Sequence, residues 1–266
     1  MRSRGTSRPE TEAGVAEASF DRTGGEEGRR PAGRISARFR RALQTCPGAR
    51  PEDTPRRDAA VSDLVTGEDG KARCRWGSTD ELYRGYHDTE WGRPVTDERG
   101  LYEKLCLECL QSGLSWALIL RKREGIRAAF ADFAPDAVAT FGRKEIEGLL
   151  KDSRVIRNRR KLEAIIQNAQ ATVAMRDQTP LPELVWSYRP RKRRVPRAYA
   201  DMVSLTEESK QLAKELKRHG FAFVGPTTVY STMQAVGLVD DHLAGCFVRK
   251  EVEAAQRDAQ RLFPSR

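Results

Sequence analysis

An acidic residue inside an apolar helical run constrains this chain more than any other feature. Asp97 is placed to cap a helix, and Leu101, Leu105, Glu108 and Ser112 follow at spacings of 4, 3 and 4, the period of a single helix face. Glu108 therefore belongs to the stripe that packs inward. An unpaired buried polar group costs roughly 2–7 kcal/mol, and its neighbours Leu107, Cys109 and Leu110 offer no partner. Either the carboxylate holds a helix end or a buried amide, or it faces a ligand. Three of the four Trp, together with Tyr83 and Tyr86, fall in residues 74–116 around it. Aromatic walls about a single acid suit a flat, electron-poor guest, although aromatic rings are also ordinary core material.

The pattern on both sides is helical. Asp80 is placed to cap a short helix through His87, Gly113 to end the Glu108 helix, and Ser115 to cap the next. That next helix carries Trp116, Leu118, Ile119 and Leu120 inward and Arg121, Lys122 and Arg123 outward. Pro135 and Asp136 restart a helix after a break, and Val138, Phe141, Ile146, Leu149 and Leu150 continue the burial to Asp152. A tight connection at 153–157 leads into a helix over 158–175 with Leu162, Ile165, Ile166 and Ala169 as its buried stripe. Length and pattern fit a helix-hairpin-helix unit, and they fit an ordinary helical hairpin as well. Residues 187–197, S-Y-R-P-R-K-R-R-V-P-R, read as an exposed basic loop because Pro190 and Pro196 interrupt any helix. Ser204 then caps a helix to His219, closed by Gly220; residues 221–225 run extended into a buried helix bearing Val229, Met233 and Val236.

The 266 residues are only 38% hydrophobic, with a mean hydropathy of −0.66. The deficit is concentrated before residue 71, so residues 1–70 are expected to be a disordered extension, 71–250 the folded domain, and 251–266 a C-terminal tail with helical potential. Glu10, Glu12 and Glu17 argue against an organelle transit peptide, and no apolar run suits a signal peptide or membrane span. An intracellular location is expected, cytoplasmic and at the nucleoid in a bacterium. A formal charge of +10 and a pI near 9.6 favour a polyanionic partner, nucleic acid first. The odd count of five Cys suits reduced thiols or metal ligands better than a disulfide framework.

Cys74 and His87 stand near one end of the helical region, and His242 and Cys246 at the other, one helical turn apart. Two thiols and two imidazoles describe a closed structural zinc site. The spacing between the pairs also allows unrelated thiols and satisfied core histidines. A metal there would pin the two ends of the domain together and offset loop-closure entropy.

Four segments carry a resemblance to a known family. They are Y-H-D-T-E-W-G-R-P (86–94), L-E-C-L-Q-S-G-L-S-W (107–116), I-R-N-R-R-K-L-E-A-I-I-Q-N-A (156–169) and F-V-G-P-T-T-V-Y-S-T-M-Q-A-V-G-L-V-D-D-H (223–242). In this order, between about Cys74 and Cys246, they resemble the DNA-3-methyladenine glycosylase I family. The resemblance implies an all-α, helix-hairpin-helix DNA glycosylase fold with a structural zinc site joining the two ends of the domain. It implies hydrolytic excision of N3-methyladenine from alkylated double-stranded DNA by a monomer, without membrane attachment. Glu108 would be the catalytic, base-recognising acid. Trp76, Tyr83, Tyr86, Trp91 and Trp116 would form the base pocket, and Cys74, His87, His242 and Cys246 would hold one zinc ion. Gly113 and Leu114 are expected to fill the gap left by the flipped nucleotide, with Arg157 and Lys161 on phosphates. A protein that binds alkylated DNA without cutting it would share this fold.

Two residues depart from the family pattern. Arg154 takes the place of a Gly in the hairpin, where a left-handed backbone would cost roughly 1–2 kcal/mol, so either the hairpin is bent differently or Arg154 contributes a phosphate contact. Cys109 replaces a Gly beside Glu108 and is expected to narrow the pocket.

Overall fold

A helix buried around most of its circumference has to be enclosed by others, and the Glu108 helix is of that kind. The computed structural model describes residues 62–192 and 194–263, within one compact unit over Asp58–Arg266. A two-stranded hairpin, β1 (Leu64–Thr66) and β2 (Ala72–Cys74), comes first. It is followed by α1 (Glu81–Thr89), α2 (Glu98–Gln111), α3 (Trp116–Ala129), α4 (Pro135–Val138), α5 (Arg143–Lys151) and α6 (Arg159–Met175). Four more complete the unit: α7 (Leu181–Ser187), α8 (Glu207–Arg218), α9 (Pro226–Ala235) and α10 (Arg249–Leu262).

Helix α2 is the axis. Its residues from Leu101 to Leu110 are all buried except Glu103, and α3, α6, α7 and α9 pack around it. Buried polar groups in this core find partners, as they must: the Tyr102 hydroxyl donates to Ile165 O at 2.9 Å, and Trp186 Nε1 donates to Val95 O at 2.9 Å. Asp80, Asp97 and Ser115 each cap the helix expected of them, accepting from Tyr83 N, Gly100 N and Leu118 N, and Asn158 caps α6 by accepting from Lys161 N. The cap of α8 is Thr206 rather than Ser204: Thr206 Oγ1 accepts from Ser209 N, and Ser209 Oγ accepts from the Thr206 amide in return.

The fold is predominantly helical, not wholly so. Residues 62–70 are part of it: β1 pairs antiparallel with β2 in the register Leu64↔Cys74, Val65↔Arg73, Thr66↔Ala72. Arg73 secures the hairpin, 4% exposed, with its guanidinium between Asp69 at 2.6 Å and Asp88 at 2.9 Å. Disorder expected for residues 1–61 lies outside the described residues. The C-terminal segment is attached too. Helix α10 buries Val252, Gln256 and Ala259, and Phe263 stacks on Trp186 with ring centroids 5.5 Å apart. No helix among the described residues is long and apolar enough to cross a membrane.

Helices α5 and α6 are joined by a tight turn. Arg154 in that turn lacks a left-handed backbone, which is the first of the two alternatives, a turn bent differently, and its guanidinium pairs with Asp152 at 2.7 Å. The small residue needed for close approach lies across from it: a Cβ on Gly125 of α3 would stand 2.7 Å from the Cβ of Arg154. Lys161, expected on a phosphate, is 7% exposed. Its ammonium donates to Leu110 O at 2.7 Å and Ser112 O at 2.5 Å, satisfying carbonyls left free at the end of α2. That engagement removes it from the DNA-facing set.

Candidate active site

Glu108 occupies the third turn of α2 and is 7% exposed. No hydrogen bond or ion pair holds its carboxyl among the described residues; burial pushes its pKa up to about 8, with Lys104 pulling weakly the other way. Lys104 lies one turn earlier on the same helix face, a neighbour that the flanking residues did not reveal. Its ammonium is already engaged, 3.0 Å from Glu90, which also takes Arg123 at 2.6 Å. Lys104 further sits over the Tyr86 ring, 5.3 Å from its centroid.

The carboxyl faces a cavity of about 420 Å³ lined by all five expected rings, Trp76, Tyr83, Tyr86, Trp91 and Trp116. Tyr86 and Trp116 lie 5.3 Å apart at 53°, and Trp76 meets Trp91 edge-on at 5.0 Å. The Tyr83 hydroxyl accepts the Ala117 amide at 3.1 Å, which ties α1 to the start of α3. Thr79, Gln111, Ser231 and Gln234 also line the cavity and went unnoticed in the sequence. A signal was present, since Gln111 follows Glu108 at three residues and Ser231 precedes Gln234 by the same step, both spacings of one helix face.

Cys109 does not narrow this cavity. One residue further round α2, it is fully buried and points toward Ala222 O and Phe223 O, with Asn168 alongside. Gly113 takes a φ of 76°, which a residue with a Cβ adopts only at a cost. It thereby turns the chain out of α2 between Gln111 and Trp116, both of which line the cavity. Leu114 is half-buried against the main core, and Arg157 is exposed in the turn between α5 and α6.

A second cluster adjoins the first through the rings. Trp91 lies 4.6 Å from His242, and Trp76 lies 5.1 Å from His87. The potential ligand atoms of Cys74, His87 and Cys246 all fall within 4.8 Å of one another. His242 stands outside that tight group, but its ring is 4.9 Å from that of His87, and its buried Nε2 has no partner. His87 Nδ1 bonds Asp88 Oδ1 at 2.7 Å and His242 Nδ1 bonds Asp240 Oδ1 at 2.9 Å. Carboxylates on both Nδ1 atoms leave both Nε2 atoms as the ring nitrogens that face the thiols or stand unpaired. The Cys74 thiol, assisted by His87, pulls the Cys246 pKa down to about 4. That same hydrogen bond and burial push Cys74 up.

A family model described as methyladenine glycosylase matches residues 76–250. The DNA-3-methyladenine glycosylase 1 of Escherichia coli is 46% identical over 177 residues, covering 65% of this chain and 95% of that protein. The DNA-3-methyladenine glycosylase of Haemophilus influenzae is 44% identical over 178 residues, covering 65% of this chain and 96% of that protein. Among solved structures, a variant of a 3-methyladenine DNA glycosylase I in complex with 3-methyladenine is similar with a TM-score of 0.64 and 36% identity. The match covers 66% of this chain and 97% of that one.

The raised pKa of Glu108 has a consequence for stability. In the unfolded chain its carboxyl ionises near 4.5, and in the folded protein near 8. Below the first value the group is neutral in both states and costs nothing; through the interval the unfolded state loses its proton first, so stability falls, and above pH 8 the full cost is on the order of 5 kcal/mol. Glu108→Gln should therefore melt at a higher temperature than the parent at pH 9, and should lose that advantage at pH 4. A parallel pH dependence of the two melting curves would show that the carboxyl is already compensated in the folded protein.

Proposed function

The chain belongs to the methyladenine glycosylase family, and on that footing we propose that it is a DNA repair enzyme that excises 3-methyladenine from alkylated DNA, leaving an abasic site. The observation that carries this is the carboxyl of Glu108, without a cation of its own, among five aromatic rings in a cavity of purine size. Methylation at N3 makes the purine cationic and weakens its glycosidic bond. The enzyme therefore has no need of a strong acid: it extrudes the base, holds it and complements its charge. Each well-placed ring contributes roughly 0.5–2 kcal/mol toward a cation. Glu108, ionised against that cation, accepts a hydrogen bond from the base. The C1′–N bond breaks with its electron pair passing to the base, an oxocarbenium-like sugar forms, and water captures C1′ and gives its proton to solvent.

Single-turnover base release should drop roughly 10²-fold or more in Glu108→Gln, with DNA affinity retained. For the parent, kcat/KM should rise as pH passes through about 8, where the free enzyme's Glu108 ionises; the Gln variant should lack that rise. Unchanged release by Glu108→Gln would remove the residue from the mechanism. DNA binding without any release by the parent would make the protein a reader of the lesion and not an enzyme.

Cys74, His87, His242 and Cys246 would hold one zinc ion, supported by the convergent donor set and the orphaned Nε2 of His242. Bound there, the metal supplies structure and no chemistry, because four protein ligands leave no open position. One zinc per chain is expected on metal analysis, and His242→Ala should lower the melting temperature more than it changes lesion preference. A metal-free protein with freely alkylated Cys74 and Cys246 would contradict the assignment.

The turn between α5 and α6 would be the DNA-docking hairpin, with Arg157 on a phosphate and Gly113 and Leu114 in the space vacated by the flipped nucleotide. Arg157→Ala should reduce the salt dependence of DNA binding by about one phosphate contact. Lys161→Met should instead lower stability and leave that dependence alone, and Leu114→Ala should slow release from duplex more than from single strands. Equal loss on both substrates would take Leu114 out of the wedge.

A further inference from the structure

Gln234 and the carboxylate behind it have no role in the chemistry described so far. Gln234 lines the base cavity from α9, and its Nε2 donates to Asp241 Oδ2 at 2.7 Å. The same oxygen receives the Tyr230 hydroxyl at 2.6 Å. Both supports are enclosed, Tyr230 at 4% and Asp241 at 7% exposure. A carboxamide has nearly the same shape either way round, so its hydrogen bonds alone decide which end is which. A carboxylate only accepts, which commits the amino end of Gln234 to Asp241. Oε1 is then the opposite end of the amide. It is not among the buried atoms that lack a partner, and no hydrogen bond from the described residues reaches it. It is open to the cavity that Gln234 lines.

We infer that Asp241, acting through Gln234, makes the cavity select a purine that carries an amine at C6, as adenine does, over one that carries a carbonyl there, as guanine does. Gln234 Oε1 accepts from the amine of an adenine lesion and repels the carbonyl oxygen that a guanine lesion carries at the same ring position. Glu108 offers a second acceptor, so the cavity presents acceptors where adenine presents a donor and guanine presents none. In a water-poor site, two acceptors facing each other leave both unpaired, and sites built to pair a donor reject the analogue that lacks it by large factors. The role of Asp241 is to forbid the alternative: a free amide would rotate and offer its N–H to the guanine carbonyl. Gln234 determines specificity on this account, and Asp241 is a positioning residue.

This inference rests on the proposed glycosylase activity, and its test separates the two. The full-length protein is given duplex DNA methylated at N3 of adenine and of guanine, and kcat/KM for release of each free base is measured on one preparation. The ratio is independent of the folded fraction, which a purely structural role would alter. Removing both partners of a buried hydrogen bond is better tolerated than removing one, so Asp241→Leu is made in a Tyr230→Phe background and compared with Tyr230→Phe alone. The ratio of adenine to guanine release should fall at least about tenfold. Gln234→Met, which keeps the side-chain volume and removes the acceptor, should lower it as well. An unchanged ratio in folded Gln234→Met overturns the inference while the glycosylase activity stands. No release of 3-methyladenine by the parent overturns the activity, and the inference with it.

Discussion

Ionising a carboxyl inside a helical bundle is costly wherever no cation answers it, and the arrangement around Glu108 keeps the nearest cations away. Lys104 shares its helix face and Arg123 approaches from α3, yet both end on Glu90. Burial opposes the ionisation of Glu90, but its hydrogen bond to Arg123 and the charge of Lys104 more than offset this and hold its pKa below the ordinary value. If Lys104 reached Glu108 instead, the cavity would contain a neutral ion pair and no attraction for a cationic base. Glu90 thus maintains the difference between a site that is electrostatically complete and one that a ligand completes. The cost appears in the raised pKa of Glu108, and a cationic guest removes it.

The rings that surround this carboxyl also connect it to the thiol and imidazole cluster. Trp76 touches Trp91, Tyr83, Tyr86 and His87, and Trp91 touches His242. Half of the cavity wall is therefore carried on segments whose positions depend on the contact between the β2 end of the unit and the loop before α10. Cys74, Leu243, Cys246 and Val248 form a small core of their own there, separate from the main one around α2. Small cores are marginal by themselves, which is why a metal in the cluster would act on the shape of the cavity without touching the base.

The sequence disclosed the axis of the fold through its spacing. The inward stripe of α2 through Leu101, Leu105 and Glu108, three helix caps and the extent of α6 follow from the 3.6-residue period and the capping residues alone. It concealed the elements whose logic is not periodic. β1 is three residues long, too short for alternation to register, and its partner is held by the buried ion pairs of Arg73, which composition reads as surface charge. Helix α7 begins at Leu181 behind Pro180, so it looks like a loop until its buried Trp186 is placed. Of the cavity, the rings and the acid were legible because they are conspicuous residue types. Ser231 and Gln234 were not, since α9 is legible as a buried helix through Val229 and Met233, and its polar face has meaning only once the cavity is known. The setting of Lys161 is hidden for a related reason: a Lys at the start of a helix looks solvent-directed, and only the three-dimensional structure shows its stem folded inward to reach the end of α2.

That contact bears on how recognition of DNA and of the base are joined. The last turn of α2 carries Gln111 on the cavity wall, and the chain then turns at Gly113 into Leu114, which packs against the main core. Lys161, in the first turn of α6, holds the carbonyls of Leu110 and Ser112 on either side of Gln111. Arg157 lies four residues earlier, in the α5–α6 turn. A hairpin docked on DNA as proposed would therefore be tied through one buried ammonium to the segment that lines the cavity. Burial lowers the Lys161 pKa, but the two carbonyls at the negative end of α2 favour the charged form. The link stays polar and directional where a hydrophobic contact would slide. Glu108 is one turn back along the same rigid helix, so the position of the backbone and the position of the acid are set by one element, and neither can shift without the other.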